Sequence, residues 1–271
     1  MKKLTSVILA VAMALSILGV MAVCIFQKIA DGGASPEIVF SDDVLAVSTG
    51  ADDAALLAGV TATDAEDGDV TDSLVIQGRS GLSADGTVQV TYAAFDSDRH
   101  VTKATRTVRY TDYHSPRFTL SQPLICRTNG SRALSLFVGA ADSIDGDLSD
   151  RVKIALTDGS SLLIAGTHTA ELRVTNSLGD TATVPVTVEV TTGVVNPDQL
   201  TLTSYLIYLP VGSTYAPKDY IAGFQGGDQK STAGVTVESN VDTGTPGVYE
   251  VTYTYRSGSA VSHTRQVVVV E

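Results

Sequence analysis

Apolar and polar positions alternate along most of this chain. Val88, Val90, Tyr92 and Ala94 fall on one side of an extended segment, with Thr87, Gln89 and Thr91 on the other. Ala170, Leu172 and Val174 repeat the pattern, with Glu171 and Arg173 turned away. Val184, Val186, Val188 and Val190 do so against Thr183, Pro185, Thr187 and Glu189. A period of two places successive side chains on opposite faces of a strand, so each run predicts a strand with one buried face. Closing strands are predicted at Lys103 to Tyr110, Thr181 to Val190 and Thr264 to Val270. Pro185 has no N–H to give a sheet, which predicts an edge position there. Turn dipeptides separate the runs: Asp85-Gly86, Asn129-Gly130, Asp158-Gly159, Gly226-Gly227 and Ser257-Gly258. About seven short strands at intervals of about eight to twelve residues describe a β-sandwich, so the fold class is all-β.

The first 30 residues break this pattern. Leu4 to Phe26 is a run of 23 residues without a charge. As a helix it spans roughly 35 Å, enough to cross a hydrocarbon core of about 30 Å. Lys2 and Lys3 place its short end in the cytoplasm and the rest of the chain outside. The alternative is a leader cleaved after the small-residue site Val20-Met21-Ala22. The run continues through Val23-Cys24-Ile25-Phe26, longer than the apolar part of a usual leader, which favours a retained transmembrane helix over residues 1–30. Val23 is not the small residue that lipidation of Cys24 needs, and the run lacks the early Glu of a pilin segment.

The remainder repeats itself. Ser35-Pro36-Glu37-Ile38, Ser115-Pro116-Arg117-Phe118 and Asn196-Pro197-Asp198-Gln199-Leu200 are similar openings, their prolines 80 and 81 residues apart. Asp64-Ala65-Glu66-Asp67-Gly68-Asp69 matches Asp142-Ser143-Ile144-Asp145-Gly146-Asp147 at an offset of 78. Gly86-Thr87-Val88-Gln89-Val90-Thr91-Tyr92 is paralleled by Gly247-Val248-Tyr249-Glu250-Val251-Thr252-Tyr253, with Gly166 to Val174 between them. Three tandem modules follow, at 35–113, 114–193 and 196–271.

A Pro-led opening, a D-x-x-D-G-D turn, a G-x-x-x-V-T-Y strand and a Val-rich closing strand, in that order, resemble the bacterial Ig-like modules of surface and secreted proteins, including the type found in pesticidal crystal proteins. The resemblance covers about residues 35 to 271. The third module departs from it, carrying Gly226-Gly227-Asp228 where the acidic turn would stand. The resemblance implies immunoglobulin-like sandwiches outside the cell, with adhesion, spacing or binding as roles; fold alone does not choose among these.

Charge excludes one class of partner. The chain carries −12, and removing Lys2 and Lys3 leaves −14. Such a surface repels phosphate backbones, so nucleic acid is not an expected partner. Cys24 and Cys126 lie in the apolar run and in a predicted strand, which leaves no disulfide framework and makes Cys126 a small buried apolar group.

Two groups of residues are candidates for function. Asp64, Asp67 and Asp69, and likewise Asp142, Asp145 and Asp147, stand at i, i+3 and i+5 beside a glycine. Clustered carboxylates suit Ca²⁺, which takes about six to eight oxygens. Asp and Gly also build tight turns unaided, and the spacing is not that of an EF-hand. No other cofactor is implied. The third module holds Tyr205, Tyr208, Tyr215, Tyr220, Tyr249, Tyr253 and Tyr255, seven of the ten tyrosines. Tyr249, Tyr253 and Tyr255 align with Val251 as core. Tyr205 falls opposite the Leu202, Leu206 and Tyr208 face, an exposed place where it would bind a partner. His100, His114, His168 and His263 are scattered without zinc-site spacing, and neither a G-x-S-x-G elbow nor a phosphate loop occurs.

The sequence therefore describes a non-enzymatic single-pass protein of the cell membrane with its bulk extracellular. It acts as an adhesion or spacer protein toward a glycan or a surface protein. The alternatives are a secreted carbohydrate-binding protein and a structural part of a surface assembly.

Overall fold

A computed structural model of the chain describes residues 13, 15–23, 33–83, 85–128, 134–192, 200–225, 232–257 and 260–271. Residues 13 and 15–23 are helical, and among the described residues no helix is long and apolar enough to cross a membrane. The remainder of the expected transmembrane segment, including Lys2, Lys3 and Cys24, lies outside the described residues. So do Asn129-Gly130, Gly226-Gly227-Asp228, Gly258 and the opening Asn196 to Gln199. Beyond the N-terminal segment the protein is built of β-sheets, and it divides into two compact units, Met1–Thr111 and Asp112–Glu271.

The first unit contains β1 (Glu37–Phe40), β2 (Val44–Val47), a short helix Asp53–Leu57, β3 (Val60–Asp64), β4 (Gly68–Asp69), β5 (Val75–Arg79), β6 (Thr87–Phe95) and β7 (Val101–Tyr110). One sheet has the order β1-β3-β4 and the other β2-β7-β6-β5. All pairings are antiparallel except β2 with β7. Val88, Val90, Tyr92 and Ala94, the apolar side of the alternation, are fully buried together with Ala62 and Val108. The ring of Tyr92 meets that of Phe40 at 5.4 Å, and its hydroxyl donates to the Leu56 carbonyl at 2.7 Å. That bond ties the helix Asp53–Leu57, with its N-cap Asp52, across the end of the sandwich.

β7 places Arg106 on its inward side, where the alternation calls for an apolar residue. Only 2% of it is exposed. Its Nε donates to the Asp42 carbonyl and its Nη1 to the Ala58 carbonyl, both at 2.8 Å, and the guanidinium lies 5.8 Å from the centre of the Phe40 ring. Arg106 thus fastens the β1–β2 loop and the end of the short helix to the core. Gly59 beside it has φ +71°, and a side chain there would meet Ser41 Oγ at 2.2 Å.

The second unit holds two sandwiches. Its first contains β8 (Arg117–Leu120), β9 (Ile125–Arg127), β10 (Val138–Asp142), β11 (Gly146–Asp147), β12 (Lys153–Leu156), β13 (Gly166–Thr175) and β14 (Thr181–Thr191). The sheets, β11-β10-β8 and β12-β13-β14-β9, repeat the order of the first unit. Ala170, Leu172, Val174, Val184, Val186, Val188 and Val190 are buried as the alternation predicts. β14 is not an edge strand; it runs between β13 and β9. β9 pairs only with Glu189–Thr191, which leaves one side of β14 open at Pro185 and reconciles the proline with an inner strand. Cys126 on β9 is buried, and burial pushes its thiol above the usual range.

The other sandwich contains β15 (Leu200–Leu202), β16 (Leu206–Leu209), β17 (Ile221–Phe224), β18 (Val235–Ser239), β19 (Gly247–Ser257) and β20 (Ala260–Val270). Its sheets are β15-β17 and β16-β20-β19-β18, again with one parallel pair, β16 with β20. Gln266 occupies the register place of Arg106: Val251 lies opposite Gln266 as Val90 lies opposite Arg106. Gln266 is fully buried; its Nε2 donates to the Ser204 carbonyl at 2.8 Å, and its Oε1 accepts from Tyr215 at 2.7 Å, with the Tyr253 hydroxyl 3.0 Å away.

The two sandwiches of the second unit share one continuous apolar cluster, from Phe118 to Val270. The Tyr208 hydroxyl accepts the Phe118 N–H at 2.8 Å, and the Arg117 guanidinium lies 5.1 Å from the centre of its ring while pairing with Glu271. His263 Nε2 meets Glu189 Oε2 at 2.5 Å. Arg106→Ala removes a buried side chain and the donor to two carbonyls, and is expected to destabilise the first unit by about 2–4 kcal/mol. Urea denaturation followed on that unit checks this. A loss below about 0.5 kcal/mol would mean that Arg106 does not hold the loops.

Candidate functional site

The acidic turns are the first place to look for chemistry. Asp64 ends β3, and its Oδ1 accepts from the N–H groups of Glu66 at 2.7 Å and Asp67 at 3.0 Å. Asp142 ends β10 and does the same with Ile144 and Asp145, at 3.0 and 2.7 Å. Gly68 and Gly146 follow with φ +77° and +71°, the conformation that closes each turn. Asp67 reaches across to the β6–β7 loop and takes the N–H and hydroxyl of Ser97 at 2.7 and 3.0 Å. Asp145 likewise takes both donors of Ser177, at 2.7 and 2.6 Å, and also Arg151 at 2.6 Å. Asp69 accepts from the Thr71 N–H at 3.0 Å, and Asp147 from the N–H and hydroxyl of Ser149 at 2.9 and 2.6 Å. The Thr71 donors hold Asp69, and the Ser149 donors Asp147, below the usual carboxylate range. The Ser177 hydroxyl does so for Asp145.

The motif is therefore a clasp. It makes a turn and then ties that turn to the opposite loop of the same sandwich. Among the described residues no group of three or more His, Cys, Asp or Glu side chains is placed to hold a metal ion. Both carboxylate oxygens of Asp67, Asp142 and Asp145 accept protein donors, whereas Asp64, Asp69 and Asp147 accept through Oδ1 alone.

Behind each clasp lies a buried polar chain. In the second unit Asn176 uses both ends of its amide. Its Nδ2 donates to Asp142 Oδ2 at 2.8 Å and to the Tyr113 hydroxyl at 3.0 Å, while its Oδ1 accepts from Leu178 and Asp180, each at 3.0 Å. Tyr113 donates onward to Asp180 at 2.5 Å, and its phenol is raised by burial and by that carboxylate. The repeat assigns Tyr113 to the end of the first module; the structure builds it into the second unit. In the first unit Asp96 stands where Asn176 stands, since each precedes the serine held by the clasp. Asp96 accepts the His100 N–H at 2.8 Å and meets the His100 Nδ1 at 2.6 Å. Asp64 Oδ2 is left buried without a partner, where Asp142 Oδ2 has the Asn176 amide.

Ser160 and Asp158, on the loop after β12, meet His168 at the start of β13, a constellation that spacing does not reveal. His168 Nδ1 lies 2.7 Å from Ser160 Oγ and 3.1 Å from Asp158 Oδ2, and its Nε2 lies 2.9 Å from the Ile164 carbonyl. A hydrolytic triad needs the acid on one ring nitrogen and the nucleophile on the other. Here both contact Nδ1, and Nε2 is occupied by the backbone. His168 acts as a pin for the 158–166 loop.

The tyrosines of the third module do not form an exposed stacking surface. Tyr205 is 6% exposed, a correction to its expected outward place. Its hydroxyl accepts the Leu202 N–H at 3.2 Å and its ring joins the core, because Thr203-Ser204 between β15 and β16 interrupts the alternation. Tyr208, Tyr215, Tyr220, Tyr249, Tyr253 and Tyr255 are buried or half-buried. The Tyr253 hydroxyl donates to the Pro217 carbonyl at 2.9 Å, as Tyr92 does to Leu56.

Residues 202–269, within the last sandwich, match the model of the bacterial surface protein Ig-like domain. No curated protein matches the chain. Among solved structures, that of CBM51-2 in complex with GlcNAc and INT domains from Clostridium perfringens ZmpB is 20% identical over 52% of this chain, with a TM-score of 0.24. The chain spans 29% of that one. Human CDH23 EC21-23 is 14% identical, covering 86% of this chain and 99% of its own, at a TM-score of 0.22. Drosophila N-cadherin EC1-4 is 13% identical, with 87% and 74% covered, at 0.24. Likenesses at this level speak to neither partner nor ligand.

Two outcomes follow from the clasp and the pin. The melting temperature is expected to be the same in calcium and in chelator; a rise with calcium would show that the Asp turns take the ion after all. The Ile164 carbonyl, and then Asp158, raise His168 above its usual 6.5, against the opposing effect of burial. The Ser160 donors, and then His168, hold Asp158 down at about 2. A raised histidine stabilises below its unfolded pKa and loses that contribution as pH rises through its folded value. Protease nicking of the 158–166 loop, corrected for protease activity, is therefore expected to increase from about pH 6 to about pH 8. His168→Gln should show the high susceptibility at both. A flat profile in the native protein would refute the pin.

Proposed function

We propose that this chain is a non-catalytic surface-display protein whose sandwiches stand outside the cell and present the last of them to a partner on a glycan or protein surface. The observation that carries the reading is the match of residues 202–269 to a domain of bacterial surface proteins. The mechanics agree with it. Clasps at Asp67 and Asp145 and the buried Arg106 and Gln266 spend polar groups on rigidity. A net charge of −12 keeps such a protein soluble and apart from anionic polymers.

The apolar run Leu4 to Phe26 is read as the element that retains the chain at the membrane. The small-residue site Val20-Met21-Ala22 favours a second reading, a secreted carbohydrate-binding protein with that run removed. Cells producing the full chain with a C-terminal tag are expected to hold it in the membrane fraction, to lose the tag to external protease, and to yield a mature protein that retains residues 1–22. A protein found in the medium and beginning at Val23 would replace the first reading with the second. A tag inaccessible to protease in intact cells would overturn both.

A further inference from the structure

Between the two sandwiches of the second unit runs a groove of about 440 Å³, within the range of small-ligand sites, roughly 300–1,000 Å³. One wall is the outward face of the β12-β13-β14-β9 sheet, contributing Thr169, Glu171, Pro185 and Thr187. The other comes from the last sandwich, with Asn240, Tyr249 and Glu250. The walls are fixed to one another by the Tyr208–Phe118 hydrogen bond, the Arg117–Glu271 pair and the His263–Glu189 pair.

The groups in the groove are unevenly used. Glu250 is paired with Arg265 at 3.4 Å, the Tyr249 hydroxyl donates to the Thr245 carbonyl at 2.9 Å, and the Thr169 hydroxyl accepts from Thr157 at 3.0 Å. The Glu171 carboxylate, the Thr187 hydroxyl and the Asn240 amide make no hydrogen bond among the described residues. Polar groups gathered in a groove without partners of their own are available to a ligand.

We infer that this groove binds a saccharide, taking adjacent hydroxyls on Glu171 and Asn240 and laying the apolar face of a sugar ring on Pro185. The chemistry selects that class. Two carboxylates against the one guanidinium of Arg265 repel anions. A free carboxylate accepts from two neighbouring hydroxyls at once, and a primary amide both donates and accepts. Threonine hydroxyls do the same on a smaller scale. An apolar ligand would strip these groups of water and return nothing. The inference rests on the surface-recognition reading above and names the ligand for it; it moves recognition from exposed tyrosines to a seam between sandwiches.

The test is a titration of the full chain with neutral and amino trisaccharides, namely cellotriose, maltotriose, chitotriose and de-acetylated chitotriose, with a lysine-rich peptide in parallel. At least one saccharide is expected to bind saturably below about 10 mM. Glu171→Gln and Asn240→Ala are each expected to weaken it tenfold or more, about 1.4 kcal/mol. Lys103→Ala, on the first unit, should leave it unchanged. Saturable binding of the peptide alone, no saccharide binding by folded protein, or binding indifferent to both groove variants would overturn the inference. If cells displaying the groove variants still adhere as the native protein does, the surface-recognition reading stands and the groove assignment falls.

Discussion

Each sandwich depends on burying the inward side of one long antiparallel hairpin. In the first unit β6 and β7 pair over nine positions, and the inward side chains Val88, Val90, Tyr92, Ala94 and Val108 are sealed from water. The hairpins β13–β14 and β19–β20 repeat this. Burial of these rows is the main favourable term, and each inward aliphatic side chain contributes about 1.5–3 kcal/mol relative to exposure. A slip of one residue would turn the whole row outward, so register is strongly held. The small sheet, the parallel strand and the loops close over that row.

Closure uses polar groups placed inside. Arg106, Val186 and Gln266 occupy one register position in the three hairpins. Where it is Arg or Gln, a tyrosine two positions further along the partner strand donates to a backbone carbonyl of a short helical segment, Leu56 or Pro217. Where it is Val, the tyrosine is replaced by Leu172. The pairing is physical: a buried polar side chain is tolerated when its donors and acceptors are all met, and each such network specifies how the open end is covered. Surface-exposed modules need this more than large proteins do, because a sandwich of about 80 residues buries a small core.

The Asp turns show how a motif suggestive of ligand binding can be spent on architecture. An Asx turn uses one oxygen of Asp64 or Asp142, and the opposing serine takes both oxygens of Asp67 or Asp145. In the proposed reading, recognition falls to a surface built on strands. The seam between the sandwiches of the second unit is such a surface, since Glu171, Thr187 and Asn240 are presented by strands and their immediate ends, where position is better defined than on a free loop.

The alternation and the turn glycines were enough to determine the all-β fold and most strand faces, because a period of two and a positive φ are local properties of backbone and side chain. Composition alone likewise set the acidic surface. Tertiary structure decided the rest. Tyr205 is buried because a break in the alternation at Ser204 turns it inward, which no local rule records. Arg106 sits on an inward face because its acceptors lie 48 and 64 residues away in sequence. Ser160, Asp158 and His168 meet only because a hairpin folds them together. The groove is made by two sheet faces that each read, in sequence, as ordinary solvent-facing Thr and Glu. A polar residue on an outward face looks the same in sequence whether water or a neighbouring sandwich stands opposite it, and only the packed structure distinguishes the two.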